Sequence, residues 1–148
     1  QNYKSTKELI RLLVRTASKG ANLLLNIGPQ PNGELPATAL DRLKGIGEFL
    51  NGKAGESIYN TVGGNINIGD SIVTTKGKGK NAPLYIHILK DEPTAEITLS
   101  IAGKIRKATN LLTGDKVSFR KNRKTGCTTF YIPDYKKEET DYIIKITF

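Results

Sequence analysis

No methionine or tryptophan occurs in these 148 residues, and cysteine and histidine occur once each. The single Cys127 excludes an internal disulfide and a multi-cysteine zinc site. The single His87 excludes a multi-histidine metal site, and any Ser-His-Asp triad would have to run through it. Sugar-stacking platforms draw on exposed flat rings, and only six tyrosines and four phenylalanines remain to provide them. No apolar run approaches the roughly 20 residues of a membrane-spanning helix. The sequence also carries no Asn-x-Ser/Thr acceptor for N-glycosylation. A chain that starts Gln-Asn-Tyr without any methionine reads as an internal or processed piece of a longer polypeptide, and a signal peptide would lie in the missing part.

What is present is a globular composition, 37% hydrophobic and 25% charged, with a net charge of +9. Residues 1–52 contribute +3 and residues 53–148 contribute +6. Two small basic clusters stand out, Lys76-Gly77-Lys78-Gly79-Lys80 and Arg120-Lys121-Asn122-Arg123-Lys124. Clusters of this kind attract polyanions, but in Gly-containing hairpin loops they are ordinarily solvated charge. The expectation is weak, salt-sensitive retention on heparin or DNA.

The hydrophobic period changes partway along the chain. Ser5-Thr6-Lys7-Glu8 forms a capping box, and Leu9, Ile10, Leu13, Val14 and Ala17 follow at helical spacing. Arg11, Arg15 and Lys19 fall on another side, and Gly20 supplies the left-handed C′ position. A continuous apolar strand is expected over 21–27, ended by Gly28-Pro29 and followed by the turn Pro31-Asn32-Gly33. Thr38 with Asp41 opens a second helix, which turns Leu40, Leu43, Ile46 and Leu50 inward and stops near Asn51-Gly52. After Gly52 the period becomes 2. Strands are expected at 84–89 with two apolar faces, at 96–101 half-buried, at 117–120 and 128–132 as a hairpin, and at 142–148. Further segments near 66–75 and 105–112 bring the number to about seven, which favours an antiparallel sandwich. A strand that is apolar throughout and flanked by two amphipathic helices belongs to a parallel sheet covered by helices. Its parallel neighbours are expected outside this chain.

The residues that carry a resemblance are Glu8-Leu9-Ile10, Ser18-Lys19-Gly20, Asn22-Leu23-Leu24-Leu25-Asn26-Ile27-Gly28-Pro29, Asn32-Gly33, Ile46-Gly47-Glu48 and Ile58-Tyr59-Asn60-Thr61. In this ordered string the chain resembles the end of the catalytic barrel in α-L-fucosidases of glycoside hydrolase family 29. Residues further on fit that family's C-terminal β-sandwich by pattern rather than by motif. The resemblance implies an α/β plus all-β architecture: 1–59 as the last αβα segment of a (β/α)8-like barrel, and 60–148 as an antiparallel β-sandwich. It implies an exo-acting enzyme that removes terminal α-linked L-fucose from glycans with retention of configuration, and it calls for no cofactor or metal. The expected partners are the remainder of the barrel and a fucosylated glycan; neither a membrane nor a nucleic acid is among them. A secreted, periplasmic or lysosomal setting follows from the same resemblance.

In that family the nucleophilic aspartate and the acid/base residue lie on earlier barrel strands and loops, so no catalytic or substrate-binding residue transfers onto this chain. By itself it is not expected to hydrolyse anything. Among the acids present, Glu34 follows a barrel-type strand, on the face where barrel enzymes do chemistry, but its ordinary role is an acid near a helix N-terminus. Asp91-Glu92 and Glu138-Glu139 read as solvated charge, Asn26 as a structural hydrogen-bonding residue, and His87 as a packed or rim residue. The rival reading is a non-catalytic sandwich that binds glycan or a polyanion. Tyr131 and Tyr135 are the ring pair to inspect for it.

Overall fold

The computed structural model describes residues 4–20, 37–136 and 139–148. Helix α1 spans Thr6–Ser18 and helix α2 spans Ala37–Asn51, followed by a 3₁₀ helix over Lys53–Ser57. The capping box of α1 is formed: Glu8 N donates to Ser5 Oγ at 3.1 Å, and Ser5 N donates to the Glu8 carboxylate at 3.2 Å. Gly20 takes φ +71°, the left-handed conformation that terminates α1. Helix α2 begins one residue ahead of Thr38, and the Asp41 carboxylate pairs with Arg42 at 2.9 Å. Its inward stripe is Ala39, Leu43, Ile46 and Leu50, at spacings of 4, 3 and 4. Leu40 lies one position off that stripe and is 52% exposed, so it does not face inward as expected.

Eight strands follow: β1 Thr61–Gly63, β2 Ile72–Gly77, β3 Leu84–Ile88, β4 Glu96–Ser100, β5 Lys107–Asn110, β6 Ser118–Lys121, β7 Cys127–Tyr131 and β8 Tyr142–Thr147. The one that the periodicity does not signal is β1, whose three residues are too short to show alternation. Five strands form a sheet in the order β1-β2-β3-β8-β5 and three form another in the order β4-β7-β6. Every strand pairing among the described residues is antiparallel. The apolar strand expected over 21–27 lies outside the described residues.

One core lies between the two sheets. Ile86, Ile88, Ile144 and Ile146 from the larger sheet meet Ile97, Leu99 and Phe130 from the smaller one. Each such side chain contributes about 1.5–3 kcal/mol by leaving water. The smaller sheet is half-buried, and β4 alternates exposed and buried along its length. Strand β3 is buried at all five positions, because the helices cover the other face of its sheet. There Val73 and Leu89 pack with Ile10, Val14 and Ile46, while Tyr85 and Ile143 pack with Ala54. The contact is close enough to require glycine: a Cβ on Gly63 would stand 2.4 Å from the Ser18 carbonyl oxygen. Among the described residues no helix is long and apolar enough to cross a membrane.

Candidate functional site: a polar seam between helices and sheet

The polar groups worth explaining are those buried where the helices meet the larger sheet. A helical wheel puts Arg11 on the solvated side of α1, yet it is only 7% exposed. Its Nε donates to the Thr140 carbonyl at 3.0 Å, one Nη donates to Asp91 Oδ1 at 2.8 Å, and the other donates to the Glu139 carbonyl. The wheel fails because the acceptors lie 80 to 129 residues further along the chain, which local periodicity does not register. Lys7 adds a second contact to Asp91 at 2.6 Å, and Arg15 donates to the Asp70 carbonyl at 2.9 Å. Asp91 is therefore not merely solvated charge: hydrogen bonds from Lys7 and Arg11 hold its carboxyl below the usual value. Its neighbour Glu92 is exposed.

A second contact joins the 3₁₀ helix to β3 and β8. The Tyr85 hydroxyl donates to Glu56 Oε2 at 2.7 Å, and Lys145 Nζ approaches the same oxygen. Burial raises the Glu56 carboxyl, but the bonds from Lys145 and Tyr85 outweigh it and the net shift is downward. Burial, reinforced by the Glu56 carboxylate, pushes the Tyr85 phenol well above its ordinary value.

The third element is a chain of three side chains within the seam. His87 Nδ1 lies 2.7 Å from Asp141 Oδ2 and Nε2 lies 2.8 Å from Thr75 Oγ1. Thr75 Oγ1 in turn donates to the Ser57 carbonyl of the 3₁₀ helix at 2.6 Å. A hydroxyl carries one proton, so with that proton on Ser57 the threonine oxygen accepts from Nε2, and Nδ1 faces a carboxylate. The order hydroxyl, imidazole, carboxylate is that of a nucleophilic relay, but Thr75 and His87 are 0% exposed and Asp141 is 2% exposed. No substrate reaches them, and their role is to join strands β2, β3 and β8 to the 3₁₀ helix. His87 is thus packed rather than at a rim. Asp141 Oδ1 is the one buried side-chain polar atom without a partner among the described residues.

The other candidates are dispersed. Tyr131 is 39% exposed, whereas Tyr135 is 6% exposed, packed at a tilt against Tyr142 with ring centroids 5.4 Å apart and hydrogen-bonded through its hydroxyl to the Lys90 backbone. The two rings do not form a platform. Glu34 and Asn26 lie outside the described residues, as does Glu138. Among the described residues no three His, Cys, Asp or Glu side chains converge as metal ligands would. Sequence reasoning did not single out Thr75, Glu56 or Asp141, for which no local pattern gives a signal.

Comparison with known proteins gives this architecture a context. The family model described as alpha-L-fucosidase matches residues 1–55. The chain is 43% identical over 60 residues to plasma alpha-L-fucosidase of Rattus norvegicus, covering 40% of this chain and 13% of that protein. It is 33% identical over 121 residues to alpha-L-fucosidase of Dictyostelium discoideum, covering 78% of this chain and 25% of that protein. Alpha-L-fucosidase isoenzyme 1 from Paenibacillus thiaminolyticus superposes with a TM-score of 0.82 at 28% identity, over 99% of this chain and 35% of that one. The chain therefore spans between 13% and 35% of the length of these relatives.

Proposed function

Because this chain is similar to α-L-fucosidases in sequence and fold, we propose that it is the C-terminal portion of a retaining α-L-fucosidase of glycoside hydrolase family 29. The observation that carries the reading is the superposition of 99% of the chain on a fucosidase, together with the family match over residues 1–55. Residues 1–59 complete a (β/α)8-like barrel, and residues 60–148 form an accessory β-sandwich docked on its outside. The substrate is a glycan bearing terminal α-linked L-fucose. In retaining chemistry one carboxylate attacks the anomeric carbon and a second carboxyl protonates the leaving oxygen, the two standing about 5–5.5 Å apart. Both belong to the upstream barrel. What this chain supplies is closure and support, with the polar seam of Arg11, Glu56 and His87 fixing the sheet to the helices.

The test is hydrolysis of 4-nitrophenyl α-L-fucoside. The full-length protein should release 4-nitrophenol, with the α-anomer of fucose appearing first by proton NMR. The 148-residue chain alone should release none above background. Activity of the isolated chain that disappeared in Glu34→Gln would overturn the assignment of catalysis to the upstream part.

A further inference from the structure

The two basic clusters are about 40 residues apart in sequence, but the fold brings them to one end of the two-sheet unit. The β2–β3 hairpin carries the first beyond Lys76↔Leu84, and the β6–β7 hairpin carries the second beyond Lys121↔Thr128. Between them runs the connection from β4 to β5, with Lys104, Arg106 and Lys107. Ten lysines and arginines, all exposed, thus share this end, and no aspartate or glutamate occurs in 76–83, 101–108 or 119–128. None of the ten forms an ion pair among the described residues. Six carboxylates of the same unit lie beside the starts of β2 and β8 and the ends of β3 and β7, at the opposite end. The charge of this unit is polarised along its strands.

This end is also concave. One cleft of about 470 Å³ is lined by Lys76, Asn81, Lys104 and the ring of Phe148. A second, of about 320 Å³, continues from Lys104 to Phe119, Lys121 and Thr128. Both volumes fall in the range of clefts that take small ligands or chain segments. Phe119 is 36% exposed and Phe148 partly so, which places aromatic surface beside the lysines that the clusters themselves lack.

We infer that the two clefts form a binding groove for a sulfated polysaccharide. Charge complementarity sets the sign of the ligand. The cations lining the clefts are lysines, point charges without the rigid fork that grips a phosphate or a base edge. Among the described residues no helix or long ribbon projects here to enter a nucleic-acid groove. Sulfate esters at irregular spacing along a sugar chain suit mobile ammonium groups, while Asn81 and the phenyl rings suit hydroxyls and sugar faces. The preference for a glycan over a nucleic acid rests on the glycosidase reading; the preference for a polyanion does not.

The experiment uses the full-length protein and three probes: heparin, neutral dextran and a single-stranded oligodeoxynucleotide, at about 150 mM salt, where exposed charges are screened beyond about 8 Å. Heparin should bind and dextran should not. The triple variant Lys76→Gln/Lys104→Gln/Lys121→Gln should weaken heparin binding by about tenfold or more and flatten its salt dependence, because fewer counterions are released. The control Lys90→Gln/Lys116→Gln/Lys136→Gln removes the same net charge outside the clefts and should change affinity less than about twofold if placement rather than net charge governs binding. Equal losses in the two triples, no retention of heparin, or tighter binding of the oligonucleotide would each overturn the inference. Hydrolysis of the neutral aryl fucoside is read in parallel and should be unchanged in both triples. A protein that hydrolyses no fucoside would sink the enzymatic reading while leaving the heparin comparison decisive for the groove.

Discussion

Removing one partner of the buried His87–Asp141 pair should cost far more than removing both. The two side chains are 0% and 2% exposed and meet at 2.7 Å. In His87→Leu the buried Asp141 carboxyl loses the one hydrogen bond it makes among the described residues; in Asp141→Leu the buried imidazole Nδ1 loses its partner. Each leaves one buried polar group unsatisfied, at about 1–3 kcal/mol. The double variant His87→Leu/Asp141→Leu places apolar groups beside Val73 and Leu89, and Thr75 keeps its bond to Ser57. Such replacements are often neutral or better. The double should therefore lie closer to the parent than either single, with a coupling of about 1–3 kcal/mol. Hydrogen exchange at the amides of β3 and β8 in the full-length protein reads the local opening free energy without requiring two-state unfolding of the whole chain. Additive effects, within about 0.5 kcal/mol, would refute the pairing.

Arg11→Met should expose the same seam from the helix side. It leaves the Glu139 and Thr140 carbonyls without their donor, at about 1–3 kcal/mol for each unsatisfied group, and exchange near residues 139–143 should accelerate. Val14→Ala, at a fully buried position, should cost about 2 kcal/mol from lost methyl burial and the cavity left behind, readable as a lower melting temperature. Gly63→Ala drives a Cβ to 2.4 Å from the Ser18 carbonyl and should lower the melting temperature more than Gly47→Ala, where a Cβ meets nothing within 4 Å. The Glu56 and Asp91 carboxyls titrate below their ordinary values of 4.5 and 3.8. Their contribution is thus complete above about pH 5 and is lost as the pH falls through the lowered folded values. Melting temperature should drop on acidification below about pH 4, and less steeply in Glu56→Gln, whose side chain no longer gains or loses a proton there.

Legibility in the sequence follows the range over which each feature is determined. The capping box of α1, the glycine that ends it, the half-buried alternation of β4 and the β6–β7 hairpin are local, and the chain forms them where their patterns lie. The doubly apolar β3 was legible too, although what covers its second face was not, since Ile10, Val14 and Ile46 come from far upstream. Contacts set by that packing were illegible. Arg11 reads as solvated until the 139–141 loop is placed against it, and Thr75 is one more β-branched residue in a strand until His87 stands across the sheet from it. The basic clusters illustrate the same rule at the surface. Read singly they are solvated loops; their meeting around Lys104 is a property of the topology.

The seam also bears on how the helical part of the chain is held. Both helices are fixed by the same sheet. The end of α1 presses its Ser18 carbonyl against β1 at Gly63, while Arg11 and Arg15 fasten its flank to loops of the sheet at residues 139–140 and 70. Helix α2 crosses α1 so closely that a Cβ on Gly45 would meet Thr6 at 2.4 Å, and Ile46 joins Ile10, Val14, Val73 and Leu89 in one cluster. A shift of the sheet is therefore transmitted to both helices. Burial alone would permit sliding, because apolar attraction is non-directional. The directed bonds of Arg11, Glu56 and the Thr75–His87–Asp141 chain remove that freedom, which gives a physical reason for placing costly polar groups in an interface that apolar residues could have filled.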